Sequence, residues 1–432
     1  MFEVRGVVLA AAGALIAAAG SARAAEPVAG EGAATVANAV QPSDLRLGQP
    51  KLLAEAAGDP SPMLSIMGIA DRLGVKKPLL DPYNIRIGGW TDRSVTYDAR
   101  SGKNIPGRVF DFESQDTTAN QTVVFIERAI DTKKNQFQIG GRMEWMWGSD
   151  ARVIHSNGLF DHYGVNDGPE NQFDLTQLYI DLYFPIGNGL TVRAGKFVTL
   201  LGSETIDPNN NPLYSHSFLF GYAIPFTHTG AYATYAVNDK LSVTGGFSRG
   251  WEQSLEDNNG CAIDLFGQVA YTISDKQKLT ATFIGGPERA GNTDDYRYVL
   301  DVIYTHRISD QLTLTFNGDW GFEQDGATNG SDAQWFGAAF YANYVIAKDV
   351  VDLNVRGEWF EDPNGARGLG VTGSVWEVTI GLDIHPLRSI VDFASLRIRP
   401  EVRYDYSNDQ FFGQAGNKHD QWTFGVDMII AL

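Results

Sequence analysis

Charged residues of both signs recur at every second position in several stretches of the chain. The longest run is Arg397, Arg399, Glu401, Arg403 and Asp405. In a β-strand, side chains two positions apart project from the same face, so this run would expose one face of a strand to water. Opposed charges across a narrow aqueous passage create a field that selects solutes by charge and dipole. The spacing therefore favours electrostatic sorting of solutes over bond-making chemistry.

The same spacing predicts a set of residues that line a water-filled lumen. They are Arg142, Glu144, Arg193, Arg356, Glu358, Arg397, Arg399, Glu401 and Arg403. The alternative is that these charges pair with one another and brace the wall without contacting a solute.

Residues that could carry catalysis or bind a metal are scattered. The histidines are His155, His162, His216, His228, His306, His385 and His419, and no two stand at a metal-binding helical spacing. Residues 189–196 superficially resemble a phosphate-binding loop, but the glycine spacing is one residue too long and Phe197 replaces the required Ser or Thr. No G-x-S-x-G nucleophile motif occurs. We therefore predict no enzyme, no catalytic residue, no metal site and no cofactor.

Apolar residues alternate with polar ones from residue 85 onward. In residues 312–322, for example, Leu312, Leu314 and Phe316 alternate with Thr313 and Thr315. This period of two predicts β-strands with one apolar face. The sixteen predicted strands are 85–97, 122–130, 137–147, 178–184, 190–198, 229–236, 241–247, 263–273, 279–285, 298–304, 312–322, 335–345, 351–359, 376–384, 396–406 and 422–432.

The connections between these strands alternate in length, and aromatic residues crowd the strand ends. Short connections such as 185–189 are followed by long ones such as 199–228. Short periplasmic turns and long extracellular loops are typical of transmembrane barrels. The predicted fold is all-β: an antiparallel, up-and-down transmembrane β-barrel of about sixteen strands. The alternative is a soluble β-sandwich, since alternation alone does not tell the two apart.

The N-terminus predicts export. Arg5 precedes an apolar run over residues 7–19, and Ala22-Arg23-Ala24 forms a cleavage site. This run is shorter than the roughly 20 residues of a membrane-spanning helix. We expect a signal peptide over 1–24, a periplasmic segment over 25–83 and the barrel over 84–432. Within the periplasmic segment we expect a short helix over 60–73, and the alternative is a plain linker.

Composition excludes one class of partner. Arg and Lys number 34 against 52 Asp and Glu, and the net charge is −18. Such a chain would be repelled by phosphate backbones, so nucleic acid is not an expected partner. A single cysteine, Cys261, also excludes an intramolecular disulfide.

Several segments resemble a known family. They are Leu190-Thr-Val-Arg-Ala-Gly-Lys-Phe197, Arg356-Gly-Glu-Trp-Phe-Glu-Asp-Pro-Asn-Gly365, Arg399-Pro-Glu-Val-Arg-Tyr-Asp405, Pro225-Phe-Thr-His-Thr-Gly230 and Gly250-Trp251. With them the chain, from about Asn84 to its end, resembles the putative β-barrel porin-2 (OmpL-like) family. The resemblance implies an outer-membrane barrel and a pore, and it implies no particular solute. The chain ends on Leu432, whereas outer-membrane proteins commonly end on an aromatic residue.

The long connection 199–228 is a candidate constriction. By analogy with the third loop of general porins, it would fold into the lumen, where Glu204 and Asp207 would face basic residues of the wall. The candidate partners are Arg193, Arg356, Arg397, Arg399 and Arg403. The alternative is that its Asp-Pro-Asn turn simply lies outside on the rim.

We therefore predict a bacterial outer-membrane porin that passively admits small hydrophilic solutes. Its expected partners are outer-membrane lipids, these solutes and two further copies in a homotrimer. One alternative is a non-conducting structural or adhesive surface protein whose long loops do the work. Another is a soluble secreted β protein that binds glycans.

Overall fold

The alternating sequence forms a closed barrel of antiparallel strands in the computed structural model. The structure describes residues 83–98, 100, 103–132, 134–161, 170–255, 262–386 and 395–431. The predicted signal peptide and the predicted helix over 60–73 lie outside these residues. No helix in the described part of the chain has the length and apolarity needed to span a membrane.

Sixteen strands follow one another around the barrel. They are β1 (Ile85–Asp98), β2 (Thr117–Arg128), β3 (Gln138–Gly148), β4 (Gln172–Phe184), β5 (Leu190–Val198), β6 (Thr227–Asn238), β7 (Leu241–Ser248), β8 (Asp264–Ser274), β9 (Gln277–Pro287), β10 (Tyr296–Arg307), β11 (Leu312–Glu323), β12 (Ala333–Ala347), β13 (Val351–Asp362), β14 (Gly373–Ile384), β15 (Ser395–Ser407) and β16 (Asp420–Ala431). Each strand pairs with its sequence neighbours, and β16 pairs with β1 from Trp90–Ala431 to Asp98–Thr423. The predicted all-β barrel of about sixteen strands is confirmed.

The two faces of the wall differ in polarity. On β14, the side chains of Trp376, Val378 and Ile380 are about half exposed, whereas Glu377 and Thr379 between them are buried. Other strands repeat this pattern, so a broad apolar belt covers the outside of the barrel. Soluble monomers rarely expose apolar patches of this extent, whereas a transmembrane barrel turns such a belt toward lipid.

Long connections fill much of the barrel interior. We call residues 99–116, between β1 and β2, loop L1, and residues 199–226, between β5 and β6, loop L3. L3 contains a 3-10 helix (Pro208–Asn210) and a π-helix (Leu219–Ala223), and a short helix α1 (Ala151–Ile154) follows β3. Phe110 of L1 packs edge-on against Phe220 of L3, with ring centroids 5.5 Å apart. The apolar core of the molecule therefore lies inside the barrel and is built largely by loops.

A glycine permits a close approach between L3 and the wall. A Cβ atom on Gly337 of β12 would lie 2.1 Å from Cδ2 of Leu219 in the π-helix. On the same strand, Trp335 donates a hydrogen bond from Nε1 to the Ala223 carbonyl (3.2 Å). The wall is thus shaped to receive the end of L3.

Asp150, just before α1, is buried in this interior. Gln121 donates from Nε2 to its Oδ2 (2.9 Å) and Ser149 donates from Oγ to its Oδ1 (3.1 Å). Burial raises the pKa of Asp150 to about 7, although these hydrogen bonds oppose the shift. The folded state therefore holds this proton more tightly than the unfolded chain, whose Asp pKa is about 4.

Between pH 4 and pH 7 the buried Asp150 carboxyl should lower the stability of the wild-type barrel. We expect Asp150→Asn to lose less stability than the wild type over this pH range. A carboxyl with a raised folded-state pKa carries no penalty below its unfolded pKa, and the penalty grows until the folded pKa is passed. The measurement is the temperature of the heat-modifiable gel shift as a function of pH. The exposed Asp310→Asn should follow the wild-type curve, and an Asp150→Asn curve parallel to the wild type would contradict the expectation.

Candidate functional site

L3 lies inside the barrel, because its hydrogen-bond partners surround it. Its Ile206 carbonyl accepts from Gln121 of β2, its Leu200 carbonyl accepts from Gln268 of β8, and its Tyr214 hydroxyl donates to Ser94 of β1. Asn354 of β13 donates to the Pro212 carbonyl. Strands this far apart around a closed ring can contact one loop only if that loop crosses the interior.

The arginines of β15 bind backbone carbonyl oxygens of L3. Arg399 donates from Nη1 to the carbonyls of Pro208 (3.0 Å), Asn211 (2.7 Å) and Leu213 (3.0 Å). Arg397 donates to the carbonyls of Asn209 (2.6 Å) and Asn211 (3.0 Å), and Arg403 donates to that of His216. Each guanidinium also binds a carboxylate of the wall: Asp383 for Arg397, Asp427 for Arg399 and Asp405 for Arg403. These three side chains point inward, and L3 covers them.

Two wall carboxylates bind the backbone N–H groups of L3. Glu401 of β15 accepts from Tyr214 N (2.9 Å) and Ser215 N (3.1 Å). Glu358 of β13 accepts from Phe218 N (2.7 Å) and Leu219 N (2.6 Å). The arginines thus bind carbonyl oxygens of L3 and the glutamates bind its N–H groups, so charge-assisted hydrogen bonds hold the L3 backbone from both its donors and its acceptors. Both glutamates therefore position the loop.

Glu204 forms the one predicted ion pair between L3 and the arginines of the wall. Its Oε1 lies 2.8 Å from Nη1 of Arg356 and accepts from the Tyr341 hydroxyl (2.9 Å), while its Oε2 lies 3.0 Å from Nδ1 of His216. Burial alone would raise the pKa of Glu204, but the Arg356 charge and the His216 hydrogen bond hold it well below its usual range. Glu204 is therefore ionised throughout the physiological range.

Asp207 makes a different contact from the one expected. Its Oδ1 accepts from the backbone N–H (3.0 Å) and the side-chain amide (2.8 Å) of Asn209, so it caps the 3-10 helix. Local capping by Asp competes with longer-range pairing. Of the arginines that Asp207 was expected to face, Arg193 binds Asp181. The other four bind carbonyl oxygens of L3: Arg356, Arg397, Arg399 and Arg403.

L1 is a second interior loop that sequence reasoning missed. Arg108 is buried and donates to Asp111 (2.6 Å) and to Asp405 of β15 (3.0 Å). Gln421 of β16 donates to the Pro106 carbonyl. The available signal was the group of apolar residues Ile105, Val109, Phe110 and Phe112 within a connection of mostly polar residues.

A cavity of about 290 Å³ lies between L3 and the inner face of strands β2 to β6. Arg142, Glu144 and Arg193 line its wall, and Glu204 and Asp207 line its L3 side. Arg193 binds Asp181 through Nε (2.8 Å) and Nη2 (2.9 Å) and stacks on Tyr179, with its Cζ 3.6 Å from the ring centroid. Arg142 donates from Nε to Glu144 (2.8 Å). The predicted site residues thus fall into two groups, one around this cavity and one beneath L3.

One group of metal-ligand type occurs in the described part of the chain. Ligand atoms of Asp352, Asp383 and His385 lie within 4.8 Å of one another at the short-turn end of the barrel. Asp383 already binds the Arg397 guanidinium through both oxygens. A guanidinium in this position competes with any metal ion for the same carboxylate.

The barrel region of the chain matches a known protein family. The family described as putative beta-barrel porin-2, OmpL-like, matches residues 84–432. The chain belongs to this family. No curated protein sequence matches it. Membership of the porin-2 family, together with the barrel, supports an outer-membrane porin channel and points away from an enzyme.

Solved structures show the same fold at low sequence identity. An anion-selective porin from Comamonas acidovorans is 10% identical, with a TM-score of 0.57, covering 81% of this chain and 99% of that one. OprB of Pseudomonas putida, in a high-pH structure, is 11% identical, with a TM-score of 0.54, covering 84% and 97%. OmpT of Vibrio cholerae, in its trimer form, is 10% identical, with a TM-score of 0.51, covering 81% and 99%. At these sequence identities the similarity shows the fold of the barrel, and it does not identify a solute.

Proposed function

We propose that this porin-2 chain forms a water-filled channel through which small hydrophilic solutes diffuse passively. The observation that carries the proposal is the cavity beside L3, which is lined by charged side chains along β2 to β6 inside the barrel. A barrel of sixteen strands is wide enough to hold an aqueous passage in addition to an inserted loop. Passive diffusion through such a passage needs no cofactor.

The predicted site residues take two roles in this proposal. Arg142, Glu144 and Arg193 line the solute path and solvate what passes. The residues beneath L3 position the constriction and do not contact solute; they are Arg356, Glu358, Arg397, Arg399, Glu401 and Arg403. Glu204 and Asp207 form the L3 side of the narrowest part.

We also propose how the chain reaches the outer membrane and how its copies assemble. Residues 1–24 act as a cleaved signal peptide, residues 25–83 remain in the periplasm, and the apolar belt contacts outer-membrane lipids. Three copies form a homotrimer; the similar OmpT structure is described in a trimer form. Native mass spectrometry of the detergent-extracted protein measures this assembly directly.

The test is planar-bilayer conductance of the purified, full-length protein. We expect discrete single-channel steps from protein that also shows heat-modifiable gel migration, since only an open lumen passes current. A folded barrel without conductance would overturn the proposal. It would favour the rival function, a non-conducting surface protein, which the filling of the barrel by L1 and L3 would then explain.

A further inference from the structure

The interior of this barrel is strongly acidic. Among the buried acidic and basic side chains of the described residues, carboxyl groups outnumber basic groups about three to one, and an acidic excess remains when carboxyls with a raised pKa, such as Asp150, hold a proton. The strands place these groups inside, because the alternate positions carry the apolar belt. The net charge of −18 for the whole chain agrees in sign. A passage through such an interior lies in a negative potential.

The arginines beneath L3 do not offset this negative potential for an ion that passes through the channel. Arg356 and Arg403 are 0% exposed, Arg399 is 1% and Arg397 is 3%. Each one donates to an L3 carbonyl and binds at least one carboxylate of the wall. A guanidinium buried in this way exposes no donor to an anion in the passage.

The cavity lining carries more acidic than basic groups. Its basic groups, Arg86, Arg142 and Arg193, are all held by carboxylates of the lining, Glu127, Glu144 and Asp181. L3 adds two further carboxylates and no basic group. Arg356 offsets Glu204, but Glu377 shares that arginine. Asp207 therefore remains as charge that no described ion pair neutralises.

We infer that the channel prefers cations, so its favoured solutes are small hydrophilic molecules carrying positive charge. The inference rests on the proposed function and names the solute class for the same passage. Low-dielectric walls focus the field of unbalanced carboxylates into the passage, which raises the local concentration of cations and lowers that of anions. The Comamonas acidovorans porin, described as anion-selective, shares the barrel alone.

The experiment is the reversal potential of the full-length protein in a planar bilayer separating two KCl concentrations. We expect the sign that K⁺ permeation gives. Current with the sign of Cl⁻ permeation, or with no reversal shift, would overturn this inference and leave the channel function intact. Absence of current from folded protein would overturn both.

Two matched variants test whether the cation preference arises at the cavity. Asp207→Asn keeps a side-chain oxygen for the Asn209 N–H and removes one charge, so we expect a smaller reversal potential of the same sign. Asp310→Asn removes one exposed charge on the β10–β11 turn and should leave the potential unchanged. Equal effects of the two changes would refute the assignment to the cavity. Heat-modifiable migration of both variants confirms that each barrel is folded.

Swelling of liposomes that contain the protein extends the test to organic solutes. Lysine should enter faster than glutamate, with an uncharged sugar of similar size as the reference. Faster entry of glutamate would overturn the inference for organic solutes.

Discussion

Deleting residues 203–212 is expected to raise single-channel conductance several-fold. This segment contributes Glu204, Thr205, Ile206, Asp207 and Asn210 to the lining of the cavity. Without it, the space beside β2 to β6 joins the space that L3 occupies against β15, and a wider passage carries more current. Recordings in planar bilayers at fixed salt give the step size directly.

The same deletion should also weaken the cation preference. It removes the Pro208, Asn209 and Asn211 carbonyls, which cover Arg397 and Arg399 in the intact protein. Exposed guanidinium groups offer donors to anions, so the reversal potential should move toward zero. Conductance and selectivity therefore change together if L3 forms the constriction.

A control deletion separates constriction from general damage to the loops. Residues 328–331, at the tip of the β11–β12 connection, are exposed. Their removal should leave the step size unchanged. If deletion of 203–212 also left it unchanged, L3 would not set the aperture.

The strands could be predicted from the sequence because alternation is a local property. Residues 312–322 were predicted as a strand, and β11 spans Leu312–Glu323. The same alternation predicts which side of each strand faces inward, and Arg399 and Glu401 do so. Alternation also disfavours a one-residue slip between neighbouring strands, because such a slip would turn the apolar face of a strand into the lumen.

The partners of the inward charges could not be predicted in this way. Arg399 meets the Asn211 carbonyl 188 positions away, and only the path of L3 brings the two together. Irregular backbone has no period from which to read that path. Asp207 shows the same limit on a smaller scale, because capping of the Pro208–Asn210 helix satisfies its carboxylate locally.

Replacing Arg356 by Met is expected to destabilise the barrel by about 3–5 kcal/mol. The guanidinium is fully buried and binds Glu377 (2.6 Å), Glu204 (2.8 Å) and the Ser215 carbonyl (2.6 Å). Met fills a similar volume and provides no charge, so two buried carboxylates lose a counterion and a carbonyl loses its donor. Urea unfolding in lipid vesicles measures the free energy of unfolding.

Two comparisons decide whether the lost counterion is the cause. Arg86→Met removes a half-exposed arginine paired with Glu127 and should cost less than about 1 kcal/mol, because solvent screens such pairs. Adding Glu204→Gln and Glu377→Gln to Arg356→Met removes the stranded charges and should restore most of the stability. Equal losses for Arg356→Met and Arg86→Met would contradict the argument. The triple variant could regain stability and still show unsteady single-channel current. In that case the ion pairs of Arg356 hold L3 in one position, whereas the strands provide the stability of the wall.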